Sequence, residues 1–214
     1  MPFYLHPDIG QQARETGVRI TTWHITESEK QLAGLLPPEK RYYAEAVQRF
    51  HASGRRREWL ATRILLHTEL GERVGIAYNG RNKPFLPDAP DKFISISHSA
   101  AYACLAIADK PVGIDIEQYG SRAYGLRDKF LSPAEQALLG EDDAERRAVA
   151  MWSAKEAAYK LADISRLDLC TDIHITAMAA DSISAVIAGN SPDPQEIRIG
   201  LRYLPDFVMT VCTD

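Results

Sequence analysis

Tyr102-Ala103-Cys104-Leu105-Ala106-Ile107-Ala108-Asp109-Lys110-Pro111-Val112-Gly113-Ile114-Asp115-Ile116-Glu117 is the stretch whose reading decides the fold. Two apolar β-type runs, residues 102–108 and 112–116, flank Asp109-Lys110-Pro111, a turn signal that ends one strand and lets the next begin. Upstream, residues 74–78 and 93–97 have the same texture and are punctuated by Asn79-Gly80 and Lys83-Pro84, so they read as neighbouring sheet strands. Earlier still the chain is mainly helical. After a strand over residues 19–25, Thr26-Glu27-Ser28-Glu29 offers a capping box and a short helix. Pro37-Pro38 stops that helix and starts another over about residues 38–50, and a third follows Ser53-Gly54 carrying Trp59, Leu60, Ile64 and Leu65. Downstream, Ser132-Pro133-Ala134-Glu135 is a capping box with proline at the first helical position, and a longer helix runs over about residues 143–161. Strands over 173–178, 183–187, 197–204 and 207–212 close the chain.

Helices followed by strands therefore occur twice. Trp59-Leu60-Ala61-Thr62-Arg63 parallels Trp152-Ser153-Ala154-Lys155-Glu156, and residues 102–108 parallel residues 207–213 in position within each half. The expectation is an α+β pseudodimer of two similar halves, residues 1–110 and 111–214, each with helices packed on a small antiparallel sheet and the active site in the cleft between them.

Composition narrows the function. With 214 residues, 45% of them hydrophobic, the chain can bury a core without disulfides or structural metals. A net charge of -4 provides no basic field to hold nucleic acid or an anionic membrane, so any positive site must be local. Cys104, Cys170 and Cys212 are widely spaced in apolar surroundings and read as buried thiols of a reducing compartment. The first ten residues lack the cationic start and apolar run of a signal peptide, and no apolar stretch approaches the roughly 20 residues of a membrane span. A cytoplasmic protein is expected.

Asp115 and Glu117 lie two apart in a strand, which puts both carboxylates on one face. Paired carboxylates repel unless a cation or proton sits between them, and oxygen-only ligands suit magnesium; the same spacing also fits the polar face of an edge strand. Trp152, Glu156 and Lys160 recur at i, i+4 along a helix whose Ala154, Ala157 and Ala158 permit close packing, while Lys155 stands about 100° around the axis from Glu156. Ser97-His98-Ser99 sets an imidazole and two hydroxyls at a strand end, suited to an anion or to a hydrogen-bonded turn. Arg49, Arg55, Arg56, Arg57 and Arg63 form a basic cluster that can grip phosphates or face solvent.

In this order the pieces resemble the 4′-phosphopantetheinyl transferase superfamily, in its larger Sfp-like, single-chain pseudodimeric branch. Gly113-Ile114-Asp115-Ile116-Glu117 is similar to that family's G-x-D-x-E motif, and Trp152-Ser153-Ala154-Lys155-Glu156-Ala157-Ala158-Tyr159-Lys160 to its W-x-x-K-E-A-x-x-K motif. Asn82-Lys83-Pro84 resembles a G-K-P segment, with asparagine in the glycine's place, and Ile96-Ser97-His98-Ser99 an I-S-H-S segment. The stretch Leu161-Ala162-Asp163-Ile164-Ser165-Arg166 lacks the glycines that typically follow the second motif.

The resemblance implies a cytoplasmic, magnesium-dependent transferase acting as a monomer. It would move the phosphopantetheine arm of coenzyme A onto a serine of an apo acyl or peptidyl carrier protein and release adenosine 3′,5′-bisphosphate. Asp115, Glu117 and Glu156 would hold Mg2+; Arg63, Lys83, Pro84, Ser97 and His98 would line the nucleotide site; Lys155 and Lys160 would face the pyrophosphate. Glu156 or a water on the metal would take the serine proton, and Lys160 would assist the departing phosphate. A catalytically silent relative that binds coenzyme A or a carrier, and an unrelated metal-dependent phosphoesterase, are the competing classes.

Overall fold

In the computed structural model, which describes residues 3–4, 17–164, 166–189 and 193–214, the chain divides into two units, Met1–Asp109 and Lys110–Asp214. Apart from Phe3 and Tyr4, the first ten residues read above for a leader lie outside the described residues, as does Ser165.

Unit 1 contains β1 (Phe3–Tyr4), β2 (Arg19–His24), α1 (Glu29–Ala33), a 3-10 turn at Pro38–Lys40, α2 (Tyr42–Arg49), α3 (Ser53–Leu70), β3 (Ala77–Tyr78), β4 (Pro84–Phe85), β5 (Phe93–Ser99) and β6 (Tyr102–Ala108). Its main sheet is antiparallel in the order β1-β2-β6-β5. Trp23, Leu60, Leu65, Ile94, Leu105 and Ile107 are buried together where α3 covers that sheet.

Three local expectations are corrected here. The capping box of α1 is Ser28 with Gln31, not Thr26 with Glu29, because Glu29 is drawn into a bidentate ion pair with Arg56, at 2.7 and 3.0 Å. Residues 38–50 are not one helix, since Arg41 takes a left-handed φ of 52° between the 3-10 turn and α2. The strand expected over 74–78 shrinks to Ala77–Tyr78: its partner β4 offers two residues, one a proline without an N–H, and the Gly75 N–H goes to the Asp88 carboxylate. Asn82, standing in the glycine's place, does adopt a φ of 61°, and the Asn79 side chain accepts from the N–H groups of Arg81 and Lys83 to hold the turn.

Unit 2 contains β7 (Val112–Gln118), α4 (Ser121–Gly125), α5 (Pro133–Gln136), α6 (Ala144–Ala162), β8 (Ile173–Met178), β9 (Ser182–Ile187), β10 (Gln195–Tyr203) and β11 (Phe207–Thr213). The sheet order is β7-β11-β10-β9-β8, antiparallel throughout. The Ser132–Glu135 capping box forms as the sequence indicates. Helix α6 lies across β7 and β11, and its Ser153 hydroxyl shares a buried 2.8 Å hydrogen bond with Thr210 of β11. Ala154, Ala157 and Ala158 of α6 are fully buried.

Gly113 is what lets α6 approach β7. A Cβ there would sit on the carbonyl oxygen of Ala157, 3.0 Å from the Ala157 carbonyl carbon and 2.8 Å from the backbone nitrogen of Leu161. All three are backbone atoms and cannot swing aside. Both units thus share an α+β plan, in which the strand preceding the helices pairs with the last strand, which pairs in turn with the penultimate one: β2-β6-β5 and β7-β11-β10. Among the described residues no helix is long and apolar enough to cross a membrane. Cys104 and Cys212 are buried thiols, whereas Cys170 is half-buried.

Candidate active site

The alternation of β7 turns Gly113, Asp115 and Glu117 toward α6. Lys160 of α6 donates to Asp115 Oδ1 at 2.7 Å and to the Ile114 carbonyl at 3.0 Å, and Trp152 Nε1 donates to Glu117 Oε1 at 3.1 Å. One helical turn before Lys160, Glu156 is coupled electrostatically to both Asp115 and Lys160. Burial lifts the Glu156 carboxyl above the ordinary carboxylate range; the Lys160 charge opposes this and the Asp115 charge reinforces it. Strand β7 is indeed at a sheet edge, yet Asp115 is 3% exposed because α6 covers it. The solvated-face alternative for this pair is thereby removed for Asp115.

Oxygen donors of this kind suit a divalent ion, and the mutual repulsion of Asp115 and Glu156 is what such an ion would relieve. Among the described residues, however, no group of three or more His, Cys, Asp and Glu side chains is gathered as a ligand cage. Lys160 holds Asp115 and Trp152 holds Glu117, so each of those carboxylates already has a donor.

Lys155 departs from the sequence reading. Its side chain is 0% exposed, ion-paired with Glu135 at 2.6 Å and donating to the Leu169 carbonyl at 2.7 Å. Glu135 Oε1 also accepts from the Ile175 N–H at 2.8 Å, while Oε2 accepts from the Ser132 N–H at 2.7 Å. The pair knots α5, α6 and β8 together, and the expectation that Lys155 faces a pyrophosphate is corrected accordingly. Burial depresses the Lys155 ammonium's affinity for its proton, with the Glu135 hydrogen bond and charge acting the other way. Glu135 was legible only as a cap; nothing in the sequence spacing links it to Lys155.

In unit 1, Ser97 and His98 lie at the end of β5, while Lys83 and Pro84 lie at the β3–β4 hairpin, with β4 packed beside β5. Arg63 is not available as expected: it is 4% exposed, with its guanidinium 3.4 Å from the Trp59 ring centroid and donating to the Trp59 carbonyl. Its further partner is Tyr78. The arginine beside His98 is Arg55, whose Nη1 is 3.2 Å from each ring nitrogen and donates at 3.0 Å to Glu58, a residue the sequence reading passed over.

Comparison with known proteins bears on this geometry. Residues 111–212 match the family described as the 4'-phosphopantetheinyl transferase superfamily. The chain is 26% identical over 196 residues to the 4'-phosphopantetheinyl transferase Sfp of Bacillus subtilis, covering 87% of this chain and 85% of that protein. It is 28% identical over 144 residues to another Bacillus subtilis protein of the same description, covering 63% of each. To the AcpT transferase of Salmonella typhi it is 31% identical, across 50% of this chain and 58% of that one.

Proposed function

Because the chain belongs to the 4′-phosphopantetheinyl transferase superfamily, on its Sfp-like side, we propose that it transfers phosphopantetheine from coenzyme A to a serine of an apo acyl or peptidyl carrier protein. The observation that carries the proposal is the union of Asp115, Glu156 and Lys160 at the β7–α6 contact that Gly113 makes possible. Two carboxylates and an ammonium in one partly buried patch supply both proton acceptance and stabilisation of a departing phosphate.

In the proposed reaction the serine hydroxyl oxygen bonds to the phosphorus on the pantetheine side, and the bond to the nucleotide's phosphate breaks. Glu156, whose carboxyl burial makes more basic than an exposed one, accepts the serine proton. Lys160, 27% exposed, donates hydrogen bonds to the departing phosphate oxygen as charge develops there. Asp115 holds Lys160 in place. Lys83, Ser97 and His98 are the proposed groups for the nucleotide end, with Pro84 shaping the hairpin that carries Lys83. Asp115, Glu117 and Glu156 are the residues that would hold Mg2+, which when bound supplies positive charge to the pyrophosphate. Trp152 fixes the Glu117 carboxylate.

The test is transfer by the purified chain with coenzyme A, magnesium and apo carrier, with and without a chelator, beside Asp115→Ala. Loss of transfer in the chelator and in a folded Asp115→Ala protein is expected. Full activity of that variant in the chelator would overturn the site.

A further inference from the structure

Arg63 is a buried cation that the roles above leave without a function. Its guanidinium lies 3.4 Å from the Trp59 ring centroid, donates to the Trp59 carbonyl at 3.2 Å and is hydrogen-bonded to the Tyr78 side chain. Trp59 is itself fixed, edge-on to Tyr42 at 5.8 Å and tilted against Phe50 at 6.5 Å. Burying a guanidinium against such groups costs desolvation that an apolar side chain of similar size would not incur. What the arginine adds is reach, because it crosses from α3 to the β3–β4 hairpin.

That hairpin needs outside support. Its strands have two residues each, with Ala77 facing Phe85 and Tyr78 facing Pro84, and so short a ribbon holds its own position poorly. Within the turn, the Asn79 N–H donates to the Lys83 carbonyl at 3.0 Å, and the Asn79 side chain accepts from the Lys83 N–H at 3.0 Å. Tyr78 immediately precedes Asn79 and faces the residue that follows Lys83. Arg63 therefore grips the hairpin beside the bonds that fix the Lys83 backbone. Arg49 of α2 adds a second hold, with its guanidinium 5.1 Å from the Tyr78 ring centroid.

We propose that Arg63 is a positioning residue that acts through Tyr78 to hold the β3–β4 hairpin, so that Lys83 is ordered before coenzyme A binds. The inference rests on the transferase reading and on Lys83 as a group for the nucleotide end. A lysine carried on an ordered hairpin gives up less freedom on binding than one on a loose hairpin. If Arg63 only fills the core, cutting its bond to Tyr78 lowers stability and leaves the affinity of the folded protein alone.

The experiment is a double-mutant cycle on the full chain, with coenzyme A affinity measured by calorimetric titration in magnesium for wild type, Tyr78→Phe, Lys83→Met and the double variant. Tyr78→Phe removes one hydroxyl and keeps the ring, Arg63 and Trp59, and thermal melts establish that each protein is folded at the titration temperature. Lys83→Met should weaken binding by about tenfold or more, the scale of a charge-assisted hydrogen bond. Tyr78→Phe should weaken it by roughly threefold or more when Lys83 is present, and by less than about twofold when Lys83 is absent. Arg63→Met, made in the same two backgrounds, should show the same dependence on Lys83. A loss from Tyr78→Phe that is equal in both backgrounds, no loss in either, or a Lys83→Met protein that binds as wild type does overturns the proposal. Failure of wild type to bind coenzyme A defeats the transferase reading itself.

Discussion

Replacing Gly113 by alanine tests how the active patch is assembled. The new methyl group would stand 2.8 Å from Leu161 N and 3.0 Å from the Ala157 carbonyl carbon, where ordinary contacts are 3.4–4 Å, and closer still to the Ala157 oxygen. Since the obstacle is helix backbone, relief requires α6 and β7 to separate. Overpacking a filled core costs about 1–3 kcal/mol, and a backbone obstacle belongs at the upper end or beyond. For a chain of this size, about 3 kcal/mol lowers the melting temperature by roughly 6–12 °C. The same separation displaces Lys160 and Glu156 from Asp115, and a misplacement of about 1 Å can cost on the order of a hundredfold in rate. Gly113→Ala should therefore melt earlier, by calorimetry, and transfer far more slowly at a temperature where it is folded. A variant with the melting temperature and turnover of wild type would refute the argument that this glycine sets the helix–strand distance.

Lys155→Met should act first on stability: stranding the buried Glu135 charge costs about 3–5 kcal/mol, and adding Glu135→Gln should recover part of the loss in urea unfolding; coenzyme A affinity lost with no change in stability would contradict this. The folded protein holds the Glu156 proton more tightly than the unfolded chain does. From the ordinary carboxylate value upward through the raised one, the folded state therefore binds more protons, and its stability falls as pH rises. Unfolding measured from about pH 4 to about pH 8 should show that fall in wild type and not in Glu156→Gln, and magnesium should stabilise wild type more at the upper end; identical pH dependence in both proteins would reject it. Arg166 has a φ of 64°, and a left-handed conformation costs a side-chain-bearing residue about 1 kcal/mol. Arg166→Gly should thus leave stability unchanged or raise it by about that amount, and a clear loss would mean the conformation is not strained.

Much of the architecture was legible because apolar alternation and turn residues are local signals. The hairpin of β5 and β6, the long α6 and the four closing strands fall where residue patterns put them, within a residue or two. The face shared by Asp115 and Glu117, and the i, i+4 row of Trp152, Glu156 and Lys160, follow from helix and strand geometry alone. What escaped depends on partners remote in sequence. Glu29 left its capping role for Arg56, Lys155 found Glu135 twenty residues upstream rather than solvent, and Arg63 stacked on Trp59 one turn away instead of reaching outward. In the stretch after Lys160, which lacks the glycines of the second motif's usual sequel, Asp163 and Arg166 adopt positive φ.

The most direct measurement of the central claim is mass spectrometry of apo carrier proteins incubated with coenzyme A, magnesium and the chain, wild type beside Lys160→Ala, with coenzyme A affinity measured in parallel. Lys160 acts mainly when the phosphate departs, so its removal should lower turnover by on the order of a hundredfold or more while affinity changes little. Coenzyme A binding by wild type without modification of any acyl or peptidyl carrier, and with Lys160→Ala indistinguishable from it, would make the chain a binding module and contradict the account.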